Sequence, residues 1–253
     1  THSYHELNQR RVLERVVEHD ISRIEFNDNH VSLQASEPDL AITRQRLKRH
    51  GLTAVGSYTG RYSDDPAQNR RLFETARALG LEYLDGYPPP ALLPELLDLA
   101  DEFGVRFAIL NTADDEPYGD DERVAAQLDR HDRLGTVVDV GHYARAGVGP
   151  AAVLERFAGR IVAIHAKDLT TTEGPESDDP YTVVGTGVLD WPDLAQVLAR
   201  TRFDGHVVLS YTGDFGNYFK RGPKIEASLD NLRALSAGEA LLHDTVPTSP
   251  TSD

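Results

Sequence analysis

VVDVGHYARAG, residues 137–147, runs from two β-branched valines through Asp139 and His142 into a glycine-punctuated loop. Residues two apart on a strand share a face, so Asp139 falls on the face of Val137 and emerges where the strand ends. If the segment is a strand followed by a helix, its carboxyl end is where α/β folds build their sites. If it is only a buried strand with a polar exit, Asp139 caps the next helix or pairs with Arg145.

The same strand-to-loop pattern recurs outward in both directions. Short β-branched or aromatic runs occur at 22–26 (SRIEF), 52–58, 81–87, 105–111, 135–141, 160–168 and 205–213 (GHVVLSYTG). Between them lie stretches of helical period such as RVLERVVEH, QNRRLFETARALG and WPDLAQVLART. Most strand-to-strand intervals are roughly 25 to 30 residues, the length of one βα unit, which predicts a parallel sheet. Gly80 and Gly104 stand where helices end before the next strand, positions that favour a residue tolerant of positive φ. Seven such units predict a (βα)8 TIM barrel more than a doubly wound sheet, because no GxGxxG follows any strand. The chain opens with a loop and a helix, so the expected barrel either lacks its first strand here or is incomplete. Residues 1–238 read as one domain, and the polar, proline-bearing segment 239–253 as a disordered tail.

Composition narrows the function. With 41 Asp plus Glu against 26 Lys plus Arg, the formal net charge is -15, the wrong field for a phosphate backbone, so no nucleic-acid partner is expected. No window approaches the roughly 20 apolar residues of a membrane helix, and THSYHELNQR lacks the apolar stretch of a secretion signal. The expected setting is cytoplasmic, with a small-molecule substrate as partner and association into a homo-oligomer left open. Cysteine is absent, so any metal must be held by His, Asp, Glu or Asn.

The polar residues at or near the strand ends are Glu25 with Asn27, Ser57, Asp85, Asn111, Asp139 with His142, His165 with Lys167 and Asp168, and Ser210 with Tyr211. Parity groups Val137 with Asp139, Ala163 with His165 and Lys167, and Phe107 with Ile109 and Asn111. A carboxylate on one strand end and an imidazole on the next make half a site for Mn²⁺, Mg²⁺ or Zn²⁺, here Asp139 and His165. His142, Lys167 and Glu25 are the candidates for moving protons, and Asn27, Asn111, Asp168, Ser210 and Tyr211 for holding substrate. Each has a plainer reading beside it. A lone strand histidine such as His165 is commonly a hydrogen-bonded core residue, Lys167 with Asp168 can be an exposed ion pair of little energetic worth, and ADDEPYGDDER (113–123) a solvated loop.

VVDVGHYARAG, then RIVAIHAKDL (160–169), then VVGTGVLDWPDLAQVLARTRFDGHVVLS (183–210) together resemble the xylose-isomerase-like TIM barrels, which include sugar-phosphate isomerases and epimerases, inosose-type dehydratases and the endonuclease IV group. The resemblance implies a divalent metal held by a Glu, an Asp, a His and a second Glu on four strand ends. Carried onto this chain, the Asp is Asp139, the His is His165, and the substrate-side His is His142. The two glutamates fall at Leu110 or Asn111 and at Ser210, neither of them acidic. The implied metal site is therefore incomplete, and Glu25, Asp85, Glu116 and His142 are the groups left to act as bases. The expected activity is that of a sugar, polyol or hydroxy-ketone isomerase or epimerase with a reduced metal site. The alternative is a metal-independent lyase or dehydratase, or a small-metabolite binder, with His142 and Lys167 as its proton-handling pair. The endonuclease branch is disfavoured by the charge of -15.

Overall fold

All seven expected runs form strands, and each carries a helix to the next. A computed structural model describes residues 2–60, 62–112, 117–174, 179–214, 218–239 and 241. After α1 (Gln9–Glu18) come β1 (Arg23–Asn27), α2 (Glu37–His50), β2 (Thr53–Tyr58), α3 (Pro66–Leu79), β3 (Tyr83–Gly86), α4 (Leu93–Phe103) and β4 (Arg106–Leu110). The second half adds α5 (Asp121–Arg130), β5 (Gly135–Asp139), α6 (Val140–Arg145), α7 (Pro150–Arg156) and β6 (Ile161–Ala166). A two-stranded antiparallel pair, β7 (Asp168–Leu169) and β8 (Tyr181–Thr182), precedes α8 (Trp191–Arg200), β9 (His206–Leu209) and α9 (Tyr218–Ala237).

The sheet order is β1-β2-β3-β4-β5-β6-β9, all parallel, and it curls into a nearly closed barrel wrapped by the helices. Among the described residues no pairing joins β9 back to β1. Gly80 and Gly104 take φ of 72° and 65° at the ends of α3 and α4, as their positions predict. The small β7–β8 pair was not foreseen, because its two-residue strands carry no periodicity to read. No helix among the described residues is long and apolar enough to cross a membrane. Of the segment 239–253, only Glu239 and Leu241 are described.

The apolar residues divide into two layers. Ile24, Phe26, Leu84, Phe107, Ile109, Val138 and Ile164 face outward into the cluster they share with the helices. Val55, Tyr83, Ala108, Leu110, Val137 and Ala163 fill the barrel interior. The inward parity read for Val137 and Ala163 therefore holds, while that of β4 is reversed: Ala108 and Leu110 point in, and Phe107 and Ile109 point out. The reason is steric. Phe107 packs against the rings of Phe73 and Tyr62 outside the sheet, whereas the interior is narrow enough to favour an alanine at that level.

Candidate active site

The cap expected of Asp139 in its plainer reading is present. Helix α6 starts immediately after β5, and Asp139 Oδ1 caps it by accepting the His142 N–H at 2.9 Å. Its other oxygen, Oδ2, lies 3.0 Å from Lys167 Nζ. Arg145, the alternative partner, donates to Gly174 O instead. Lys167 Nζ is also 3.0 Å from His142 Nε2, and His142 Nδ1 is 3.2 Å from Asn111 O. That geometry assigns the His142 proton to Nδ1, donated to the Asn111 carbonyl, and leaves Nε2 to accept from the ammonium. The Tyr181 ring lies 5.3 Å from the same ammonium. Burial alone would raise the Asp139 carboxyl, but His142, Lys167 and His165 around it hold it well below the usual carboxylate range. Of the three, His142 keeps a fifth of its side chain exposed, while Lys167 and Asp139 are buried.

Asn111 ties β4 to β5. Its Oδ1 accepts the Asp139 N–H at 2.7 Å and its Nδ2 donates to Asp139 O at 3.1 Å, so the amide is spent on backbone. Ser210 is buried one residue past β9, and its N–H donates to Ala166 O. The ligand set implied by the resemblance thus does not fit a metal. The Lys167 ammonium occupies the open oxygen of Asp139, Asn111 has no oxygen to spare, and Ser210 brings a hydroxyl in place of a carboxylate.

A second cluster lies inside the barrel and shares His165. The register of β5 and β6 sets Asp139 beside His165, whose Nδ1 is 4.0 Å from Asp139 Oδ2. The other nitrogen, Nε2, turns to Glu25 on β1, at 3.0 Å from Oε1 and 3.2 Å from Oε2. Tyr83 OH donates to Glu25 Oε2 at 2.6 Å. It reaches β1 from β3 by lying over Gly56 of β2, where a Cβ would collide with the phenol ring. Burial by itself would raise Glu25, yet the His165 charge and its hydrogen bonds, with that of Tyr83, hold it low. Burial lowers His165, but Glu25, Asp85 and Asp139 push it up to about 9. Asp85 on β3 completes the group. It is fully buried, neither oxygen has a hydrogen-bond partner among the described residues, and burial with the Glu25 charge pushes its carboxyl well up.

Other expected contacts sit elsewhere. Asp168 is buried and accepts from the backbone N–H groups of Leu169, Gly185 and Gly187 and from Trp191 Nε1, pinning the loop before α8. Asn27 Oδ1 accepts the Asn29 N–H at the end of β1. Tyr211 OH donates to Asp214. Glu116 lies outside the described residues. Tyr83 was missed by the sequence reading, although the alternation of YLDG places it on the face of Asp85.

A family model described as a xylose isomerase-like TIM barrel matches residues 13–235. The chain is 27% identical over 207 residues to the rhizopine catabolism protein MocC of Rhizobium meliloti, covering 76% of this chain and 61% of that protein. It is 24% identical over 128 residues to an inosose dehydratase of Lacticaseibacillus casei, covering 43% of each. This chain therefore spans less than two thirds of the length of either relative. Among solved structures, the IolI protein with a bound zinc atom superimposes with a TM-score of 0.73 at 17% identity, over 92% of this chain and 95% of that one.

Proposed function

The chain belongs to the xylose isomerase-like TIM barrel family, and on that premise we propose that it removes a proton from the carbon beside a carbonyl of a polyhydroxylated small molecule, using Lys167 and His142. One observation carries the reading: Lys167 Nζ stands 3.0 Å from both Asp139 Oδ2 and His142 Nε2, at the carboxyl ends of adjacent strands. Asp139 keeps the amine aimed. Asn111 fixes the Asp139 backbone and, through its own carbonyl, the His142 tautomer.

In the step proposed, Lys167 turns an N–H toward the substrate carbonyl oxygen and thereby releases the lone pair of His142 Nε2. The C–H bond breaks, its proton goes to Nε2, and its electron pair moves into an enolate held by the ammonium. Return of the proton to carbon on the other face, or to the neighbouring carbon after the enediol shifts, gives an epimer or an isomer. Expulsion of a β-hydroxyl group, taking the proton from His142, gives water and an unsaturated ketone. The resemblance to an inosose dehydratase favours the second exit, and no step requires a metal.

Both exits pass through the same enolate, so solvent exchange tests the reading directly. Incubated in D₂O with cyclic keto-polyols and keto-sugars, the protein is expected to place deuterium beside the carbonyl, read by NMR, and Lys167→Met is expected to abolish this. Exchange that survives Lys167→Met, or absence of exchange and turnover across the panel, overturns it.

A further inference from the structure

We propose that Glu25, Asp85 and His165 form a divalent-cation site of their own inside the barrel, apart from the ligand set that the family resemblance implies. That set falls on the ends of β4, β5, β6 and β9, whereas this cluster is built from β1, β3 and β6 and shares only His165 with it.

Geometry and chemistry carry the inference separately. One donor atom from each of the three side chains lies within 4.8 Å of the others. Two ligands of a tetrahedral zinc stand about 3.4 Å apart when each bond is about 2.1 Å, and Glu25 Oε1 and His165 Nε2 are already 3.0 Å apart. The second observation is Asp85, a fully buried carboxyl on the inward face of β3 whose two oxygens meet no hydrogen-bond donor among the described residues. A buried carboxylate without a partner is costly, and two of them beside one imidazole cost more. A dication neutralises both, and it leaves the imidazole neutral as a ligand. One nitrogen and two carboxylates suit Zn²⁺ or Mn²⁺, with a further position open to water.

One of the three ligands borders open space. A cavity of about 700 Å³ opens between β1, β9, α8 and α9, and Glu25 lies in its wall with Ile24, Val208 and Trp191. The cation site stands whether or not Lys167 turns over a substrate, since binding is measured without turnover.

The experiment strips the whole chain with EDTA, dialyses it against zinc or manganese, and measures metal by mass spectrometry and the melting temperature. About one tightly held equivalent per chain, with a higher melting temperature, is expected. Asp85→Asn and Glu25→Gln are expected to weaken binding by at least about tenfold, while Asp139→Asn keeps it. Because Asp85→Asn replaces a buried carboxyl whose oxygens meet no donor among the described residues, the stripped variant is expected to melt no lower than wild type. Glu25→Gln gives the second reading should Asp85→Asn not fold. No uptake by the wild type, only several weak equivalents, or binding lost in Asp139→Asn but kept in Asp85→Asn overturns the proposal.

Discussion

The Lys167 ammonium lies 3.0 Å from Asp139 Oδ2, so the acid that the family resemblance assigns to a metal meets a covalently tethered cation instead. Both groups are buried, and each stands as the other's countercharge. Removing one partner of such a pair costs about 3–5 kcal/mol, whereas replacing both by neutral groups is close to neutral. Asp139→Asn and Lys167→Met are each expected to lose stability on that scale in urea denaturation, with Asn still able to cap α6. The double variant is expected to recover most of the loss while remaining unable to exchange substrate protons with solvent. A double variant as unstable as the sum of the two singles would deny that the pair is coupled.

Asp168 makes a different kind of prediction, because its carboxylate serves the backbone. It gathers four backbone N–H groups, those of Leu169, Gly185, Gly187 and Leu189, and the indole of Trp191, the only tryptophan of the chain. Asp168→Ala leaves those buried donors unpaired, at about 1–3 kcal/mol for each one left without water. A fall in melting temperature and a shift of the Trp191 emission are expected together. An unchanged emission would mean that the loop does not depend on the carboxylate.

The contrast between these two acids explains what the sequence could and could not reveal. Strands and helix ends were legible because they rest on local rules: alternation, helical period, and glycines where φ turns positive at Gly80 and Gly104. Asp139, His142, His165 and Lys167 were legible as a group because they follow directly on two adjacent strands. Their roles were not. Whether Lys167 pairs with Asp168, its neighbour in sequence, or with Asp139, 28 positions away, depends on the register of β5 and β6. The Glu25–His165 contact joins residues 140 positions apart across the barrel interior, and no pattern within either strand announces it. The β4 parity failed for a similar reason: whether alanine or phenylalanine faces inward is decided by the space between seven strands.

Gly56 and Tyr83 test how tightly that interior is built. A Cβ at Gly56 would collide with the Tyr83 ring, which reaches across β2 to bond Glu25. Gly56→Ala is expected to displace the ring and to cost about 1–3 kcal/mol, the range for overpacked cores. In a Tyr83→Ala background the same change is expected to cost little. Equal costs in the two backgrounds would place the strain elsewhere.

His30 gives the chain an acid-sensitive element away from the site. It is buried, its Nε2–H donates to Leu7 O at 3.0 Å, and burial lowers its pKa from 6.5 to about 4. In the unfolded chain the imidazole takes up a proton as pH falls below about 6.5, while the folded chain resists until about 4. The folded state therefore loses stability across that window, and above pH 6.5 the residue contributes no slope. A single linked proton gives at most about 1.4 kcal/mol per pH unit. His30→Gln removes the titration, so the difference between wild type and variant, measured by urea denaturation from pH 7.5 to 4.5, is expected to slope between 6.5 and 4 and to be flat above. Carboxylates that titrate in both proteins cancel in that difference. Parallel curves throughout would mean that the imidazole is reached by water and protonates in the folded protein much as it does in the unfolded one.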